Sequence, residues 1–174
     1  MKALEDYIRS IPNFPKEGII FRDITTLIQD PEGLKLAIDM LIDALKDIEF
    51  DYLVAAEARG FIFASPIAYA LDKGVVLARK KGKLPYRTIQ VSYDLEYGSE
   101  TIEMHEDALK PGDKVVLIDD LLATGGTLSA IAKLVETTGA TVAGVACVIN
   151  LPALGGEKLL EKYGVTTLVS FDGE

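Results

Sequence analysis

Two adjacent carboxylates, Asp119 and Asp120, stand between an aliphatic run, Val115-Val116-Leu117-Ile118, and a loop of small and hydroxylated residues, Ala123-Thr124-Gly125-Gly126-Thr127. Side chains without bulk let several backbone N–H groups turn toward one anion at a helix N-terminus, and Thr124 and Thr127 add hydroxyl donors, so the loop suits a phosphate. The carboxylates would repel a phosphate, but a pair of vicinal hydroxyls such as those of ribose finds two acceptors in them. The combination points to ribose 5-phosphate. No Gly-Lys-Ser/Thr of a Walker loop follows, and the adjacent glycines do not keep the G-x-G-x-x-G spacing of a dinucleotide site. The competing reading is an ordinary strand–turn–helix with an incidental Gly-Gly.

A second loop of similar kind follows the apolar residues that end at Ala56. In Glu57-Ala58-Arg59-Gly60-Phe61 a guanidinium and a glycine precede a helical stretch. Helix-start N–H groups together with the bidentate Arg59 would suit pyrophosphate, and an ion pair between Arg59 and Glu57 is the alternative. Cations are also concentrated between these loops. Arg79, Lys80, Lys81, Lys83 and Arg87 are five of the 18 basic residues in a chain of net charge −9. Gly82 and Pro85 interrupt the run as they would in a shaped anion loop, against the alternative of a solvated one.

The elements that must position these loops alternate along the chain. Asp30 can cap a helix with Pro31 at its first position, and Leu34, Ala37, Ile38, Leu41, Ile42 and Leu45 form its apolar face. A strand over 52–56, a helix from about 61 to 71 and a strand over 74–78 make a βαβ unit. A polar segment with β character, 88–104, interrupts the alternation. A strand over 115–118 is then expected to end where the carboxylates begin, with Leu128, Ile131, Leu134 and Val135 at helical spacing up to a stop at Gly139. A strand over 141–149, a short helix near 157–162 and a strand over 165–171 complete the pattern. The expected fold is a mainly parallel α/β sheet with helices on both faces, its ligands at the carboxyl ends of the strands, and an N-terminal segment covering that edge.

Composition narrows the class. A length of 174 residues, 49% hydrophobic content and a mean hydropathy of +0.23 suit a single domain with a substantial core. The acidic, amphipathic N-terminus has no apolar signal core, and no apolar run nears the ~20 residues of a membrane span, so a cytoplasmic protein is expected. The acidic balance, with a pI near 4.7, argues against broad binding to nucleic acid or anionic membranes. Cys147 stands alone in an apolar strand and reads as a buried, inert thiol. His105, the one histidine, is expected at the surface, and Glu103, Glu106 and Asp107 are expected to be solvated. One histidine permits no His-based triad or metal site.

The blocks Gly18-Ile19-Ile20-Phe21-Arg22-Asp23-Ile24, Glu57-Ala58-Arg59-Gly60-Phe61, Arg79-Lys80-Lys81-Gly82-Lys83-Leu84-Pro85, Leu95-Glu96-Tyr97-Gly98 and Asp119 to Thr127 occur in this order. Together with Leu154-Gly155-Gly156-Glu157-Lys158-Leu159, they resemble the adenine-specific branch of the type I phosphoribosyltransferases over nearly the whole chain. The resemblance implies one domain over 1–174, with an N-terminal hood over about 1–30 and a basic loop and flexible β lid over about 80–107. Its implied reaction is adenine plus phosphoribosyl pyrophosphate giving AMP and pyrophosphate, in a homodimer. Main-chain groups of Ile20 and Arg22 would read adenine while Phe21 and Leu121 enclose its ring. Arg59, Arg79 and Lys83 would hold pyrophosphate, Arg79 reaching the neighbouring subunit. Asp119 and Asp120 would hold the ribose, and Ala123, Thr124, Gly125, Gly126 and Thr127 the 5-phosphate. Glu96 would handle the purine proton and Tyr97 seal the site. Mg2+ would be held mainly by substrate and water, with no direct protein ligand. Two alternatives stay open: a phosphoribosyltransferase for xanthine, guanine or hypoxanthine, and a purine-responsive regulator, which would be expected to add a DNA-binding segment and a basic face.

Overall fold

The computed structural model describes residues 2–95 and 97–173. Its main sheet has seven strands in the order β5-β6-β4-β3-β7-β8-β9. These are β3 (Tyr52–Ala56), β4 (Gly74–Lys80), β5 (Thr88–Asp94), β6 (Ser99–His105), β7 (Lys114–Leu122), β8 (Thr141–Asn150) and β9 (Val165–Ser170). Strands β4, β3, β7, β8 and β9 are mutually parallel, while β6 joins β4 and β5 joins β6 in antiparallel fashion. The polar segment that interrupts the alternation is therefore a hairpin extending one edge of the sheet. A separate antiparallel pair, β1 (Arg9–Pro12) and β2 (Ile20–Asp23), precedes the short helix α1 (Thr25–Gln29).

Helices cover both faces. On one, α2 (Pro31–Leu45) and α3 (Gly60–Leu71) bury Ala37, Leu41, Phe63 and Ile67 against Leu53, Ala55, Val116 and Ile118, and Leu4, Tyr7, Ile8 and Leu27 of the N-terminal segment join the same core. On the other, α4 (Gly126–Thr137) buries Leu128, Ile131 and Leu134 against Val54, Ala56, Val115 and Leu117. The apolar runs of β3 and β7 thus feed both cores alternately, as a strand covered on both faces requires. Asp30 caps α2 as expected, its Oδ1 accepting from the N–H groups of Glu32 at 2.9 Å and Gly33 at 3.3 Å. The C-terminal helical stretch is broken: α5 (Gly156–Leu159) is followed by a separate 3₁₀ turn over Glu161–Tyr163. Among the described residues no helix is long and apolar enough to cross a membrane.

Candidate active site

The acidic pair lies inside a strand. β7 continues through Leu122, with Asp119 paired to Cys147, Leu121 to Ile149 and Leu122 to Asn150 of β8. The strand expected to stop at Ile118 is prolonged because hydrogen bonds to β8, which no side-chain pattern reveals, carry it past the carboxylates. Its alternation slips there: Ile118 and Leu121 face one core and Leu122 the other, whereas strict period-two spacing from Ile118 would reverse Leu121 and Leu122. Asp119 Oδ1 accepts from the Asp120 N–H at 2.8 Å. Burial, then the neighbouring Asp120 charge, pushes the Asp119 carboxyl well above the usual carboxylate range. A hydroxyl-rich or cationic ligand would relieve both effects.

The loop between β3 and α3 meets this strand end at close range. A Cβ on Gly60 would lie 2.8 Å from the Ile118 carbonyl oxygen and 3.3 Å from Asp119 Cα, so only glycine lets the start of α3 sit on β7. From the loop, Arg59 Nε donates to Asp120 Oδ2 at 2.5 Å, and the Asp120 side chain is only 5% exposed. That bond keeps the guanidinium charged, with help from Asp119 and from Asp23 at the end of β2. The alternative partner for Arg59 was Glu57. Instead Glu57, whose side chain is 8% exposed, takes the Arg79 Nε at 3.0 Å, the Lys80 N–H at 3.0 Å and the Lys83 Nζ at 2.7 Å. Burial alone would raise its pKa; the bonds from Lys83, Lys80 and Arg79 outweigh it and lower the carboxyl below its ordinary value.

Beyond Leu122 the chain turns into α4. Gly125 takes φ +84°, and the Gly126 N–H approaches Thr124 Oγ1 at 3.4 Å. The residues from Leu121 to Leu128, with Asp119, line a cavity of about 100 Å³. A larger depression of about 640 Å³, lined by Ser129, Lys133, Glu136 and Tyr163 among others, contains none of the expected site residues, so size does not locate the chemistry. The C-terminal segment braces the loop from behind. The Gly156 N–H donates to the Ala123 carbonyl at 3.1 Å, and a Cβ on Gly156 would meet that oxygen at 2.6 Å. From the edge hairpin, the Tyr93 hydroxyl lies 2.9 Å from Thr127 Oγ1.

The remaining expected residues sit around this centre. Ile20, Phe21 and Arg22 lie on β2, with Phe21 edge-on to Phe14 at 5.2 Å between ring centroids. The Arg22 side chain donates to Ser10 Oγ at 2.6 Å and lies over the Phe171 ring at 4.4 Å. Arg9 holds the hairpin closed through Asp23 at 2.6 Å. Leu121 packs at the rim of a core, and Tyr97 is 85% exposed at the β5–β6 tip. Glu96 lies outside the described residues.

One expectation in the β6 region is corrected. Glu103 is not solvated: it is buried, accepting from the Gly82 N–H at 2.6 Å and from the Thr88 hydroxyl, and the Thr88 bond, then that of Gly82, lowers its pKa. Register explains the burial, because Glu103 pairs with Arg79 of β4 and so sits beneath the basic loop. His105 is half-buried, and its Nε2 accepts from the Tyr86 N–H at 3.3 Å. Glu106 and Asp107 are exposed as expected. Cys147 is buried, and burial, then the Asp119 charge, pushes its thiol well above the ordinary value. Sequence reasoning placed Glu57 in the first loop with Arg59 as its candidate partner, and missed Glu103, Tyr93 and Gly156 as parts of this region; of these only the Gly155-Gly156 pair carried a signal, of close backbone approach.

The sequence pattern of the phosphoribosyl transferase domain matches residues 24–173. The chain is 57% identical over 174 residues, all of both chains, to an adenine phosphoribosyltransferase of Agathobacter rectalis. Its fold matches the crystal structure of adenine phosphoribosyltransferase from Thermoanaerobacter pseudethanolicus with a TM-score of 0.93 at 46% identity, covering 97% of this chain and 100% of that one. It also matches the Saccharomyces cerevisiae adenine phosphoribosyltransferase complexed with an imino-altritol bisphosphate and adenine, with a TM-score of 0.89 at 36% identity over 95% and 96% of the two chains.

Proposed function

Because the chain belongs to the phosphoribosyl transferase family, we infer that it is an enzyme of purine salvage that transfers the 5-phosphoribosyl group from phosphoribosyl pyrophosphate to adenine, releasing AMP and pyrophosphate. The observation that carries the reading is the convergence of two anion loops on one acidic pair, with Arg59 of the first on Asp120 beside the second. Breaking the C1–pyrophosphate bond builds positive charge on the ribose ring and negative charge on the departing group. Asp119 and Asp120 hold the ribose hydroxyls on the positive side, and Arg59, Arg79 and Lys83 receive the negative one. Residues Ala123 to Thr127 bind the 5-phosphate at the start of α4.

The hood supplies the base site. Ile20 and Arg22 read adenine through main-chain groups, a role supported by the engagement of the Arg22 side chain with Ser10 and Phe171, and Phe21 and Leu121 flank the ring. As the purine nitrogen bonds to C1 it loses its proton, and Glu96, with Tyr97 sealing the lid, is the group assigned to take it. The oxygen-rich end of β7 would suit Mg2+, which takes few carboxylates and keeps water and substrate oxygens; held mainly by phosphoribosyl pyrophosphate and water, it would supply positive charge to the leaving group. The active form is a cytoplasmic homodimer in which Arg79 reaches the neighbouring site. With Mg2+ and phosphoribosyl pyrophosphate, the purified protein should convert adenine at least ~100-fold better than hypoxanthine or guanine, since a site paired to a 6-amino group leaves buried groups unpaired against a 6-oxo group. Comparable turnover of guanine overturns the adenine assignment.

A further inference from the structure

We propose that Glu57 is a positioning residue for pyrophosphate, the joint through which the loop after β3 aims the cations of the basic loop; this rests on the reading of Arg79 and Lys83 given above. Its backbone belongs to the first element: the Glu57 N–H donates to the Ala78 carbonyl at 3.0 Å, and Arg59 follows two residues later. Its side chain belongs to the second. Oε1 accepts from Arg79 Nε and the Lys80 N–H, and Oε2 from Lys83 Nζ. Both oxygens of a carboxylate that is 8% exposed are thus committed to one loop.

The way each cation is held matters for what it can still do. By taking the Nε of Arg79, Glu57 leaves both terminal guanidinium nitrogens, the fork that matches phosphate oxygens, free of this bond. By taking one N–H of the Lys83 ammonium it leaves two. Arg79 is one-third exposed and Lys83 half exposed, whereas the carboxylate they meet is covered, so both cations keep surface open to solvent. Glu103 fixes the same loop from its other end through Gly82 and Thr88, but it touches no cation with a side-chain nitrogen there. Glu57 joins the backbone placement of the loop after β3 to the placement of Arg79 and Lys83. The grip forms within one chain, whichever subunit's pyrophosphate Arg79 then meets.

The test compares two ligands that report on different halves of the site. Calorimetric titrations of pyrophosphate with Mg2+, and of AMP, would be run on the wild type, Glu57→Gln and Glu57→Asp. Gln keeps the size and loses the charge; Asp keeps the charge and withdraws it from reach. Positioning predicts that pyrophosphate affinity falls about tenfold or more in Glu57→Gln, the loss of a charged hydrogen bond, while AMP affinity stays within about twofold. Glu57→Asp should show the same selectivity with a smaller loss. In steady state the KM for phosphoribosyl pyrophosphate should rise with the KM for adenine unchanged. Equal weakening of both ligands, unchanged pyrophosphate binding in a folded variant, or failure of both variants to fold would overturn the proposal and leave Glu57 a fold residue. Wild-type protein that bound neither ligand would overturn the functional reading itself.

Discussion

The end of the site proposed to hold ribose phosphate and the basic-loop end are built by different means. The first rests on backbone shape in the middle of a parallel sheet: Gly60 against Ile118, Gly125 in the left-handed region, Gly156 against Ala123. The second rests on side-chain charge at an antiparallel edge, where the buried carboxylates of Glu57 and Glu103 hold a loop rich in cations. A backbone-built subsite cannot yield without moving the core. A charge-built one can be loosened one bond at a time. The N-terminal hairpin follows the second pattern, closed by Arg9 on Asp23.

The largest effect expected of this contrast comes from the backbone-built end. Changing Asp119 and Asp120 together to Asn keeps their size and removes their charge, the charge that Arg59 meets on Asp120 included, so the circular dichroism spectrum should persist while AMP formation drops by roughly 100-fold or more, as charge-assisted bonds to the ribose are lost. A folded double variant with near-normal turnover would show that the pair is not the sugar clamp.

At the charge-built end the loss should be smaller and selective. Arg79→Ala should weaken pyrophosphate binding by about 1.5–3 kcal/mol and leave the KM for adenine unaltered. Mixing that variant with the Asp119/Asp120 double variant creates one site with both defects and one with neither if Arg79 acts across subunits, so activity should partly return. Mixed dimers seen by native mass spectrometry without recovered activity would place each site within one chain.

The hairpin offers a pH test of the same principle. Asp23 is 7% exposed, and bonds from the Thr25 N–H, Arg9 and the Thr25 hydroxyl lower its carboxyl to about 2. A carboxyl depressed in the folded state stabilises fully above its unfolded value and loses that contribution as pH falls toward 2. With Arg9 more than half exposed, solvent screening holds this to about 1–2 kcal/mol at neutral pH. Urea unfolding of wild type and Asp23→Asn should therefore differ by that amount at pH 7, begin to converge as pH falls below about 4, and meet only near pH 2; a gap that does not narrow between about pH 4 and pH 2 argues for packing instead.

The smallest change should come from the strut between the two ends. Tyr93→Phe deletes the bond to Thr127 Oγ1, and about 0.5–1.5 kcal/mol of stability should go with it. AMP affinity should move by less than about threefold. A much larger loss of AMP binding would mean that the phosphate loop is shaped by the edge hairpin as well, and the contrast would fail.

The same contrast separates what the sequence reveals from what it hides. β3 was legible because its residues are continuously apolar, α2 because Asp30 and Pro31 announce its start, and the turn into α4 because small residues and adjacent glycines mark a strand–helix junction. The contacts of Arg59 and Glu57 were not legible. Arg59 finds Asp120 61 positions away, and Glu57 finds Arg79, Lys80 and Lys83 22 to 26 positions away, while the one protein partner the sequence offers Arg59, beside a pyrophosphate ligand, is Glu57. Glu103 reads as solvated because its segment is polar; only the β4–β6 register buries it. Local shape is written locally, and long-range charge pairing is written in the topology.

The contact of Gly156 with Ala123 bears on how this protein could be inherited or rebuilt. The phosphate loop and the C-terminal turn share one van der Waals boundary, with a Cβ at 156 falling 2.6 Å from the Ala123 oxygen and 2.7 Å from Leu122 Cδ1. Neither segment can therefore drift independently. A lineage that acquires a side chain at 156 must re-route the loop in the same step, and a loop transplanted into another sheet would have to travel with its distant glycine. The smallest exchangeable part of this site is two stretches of chain, not one.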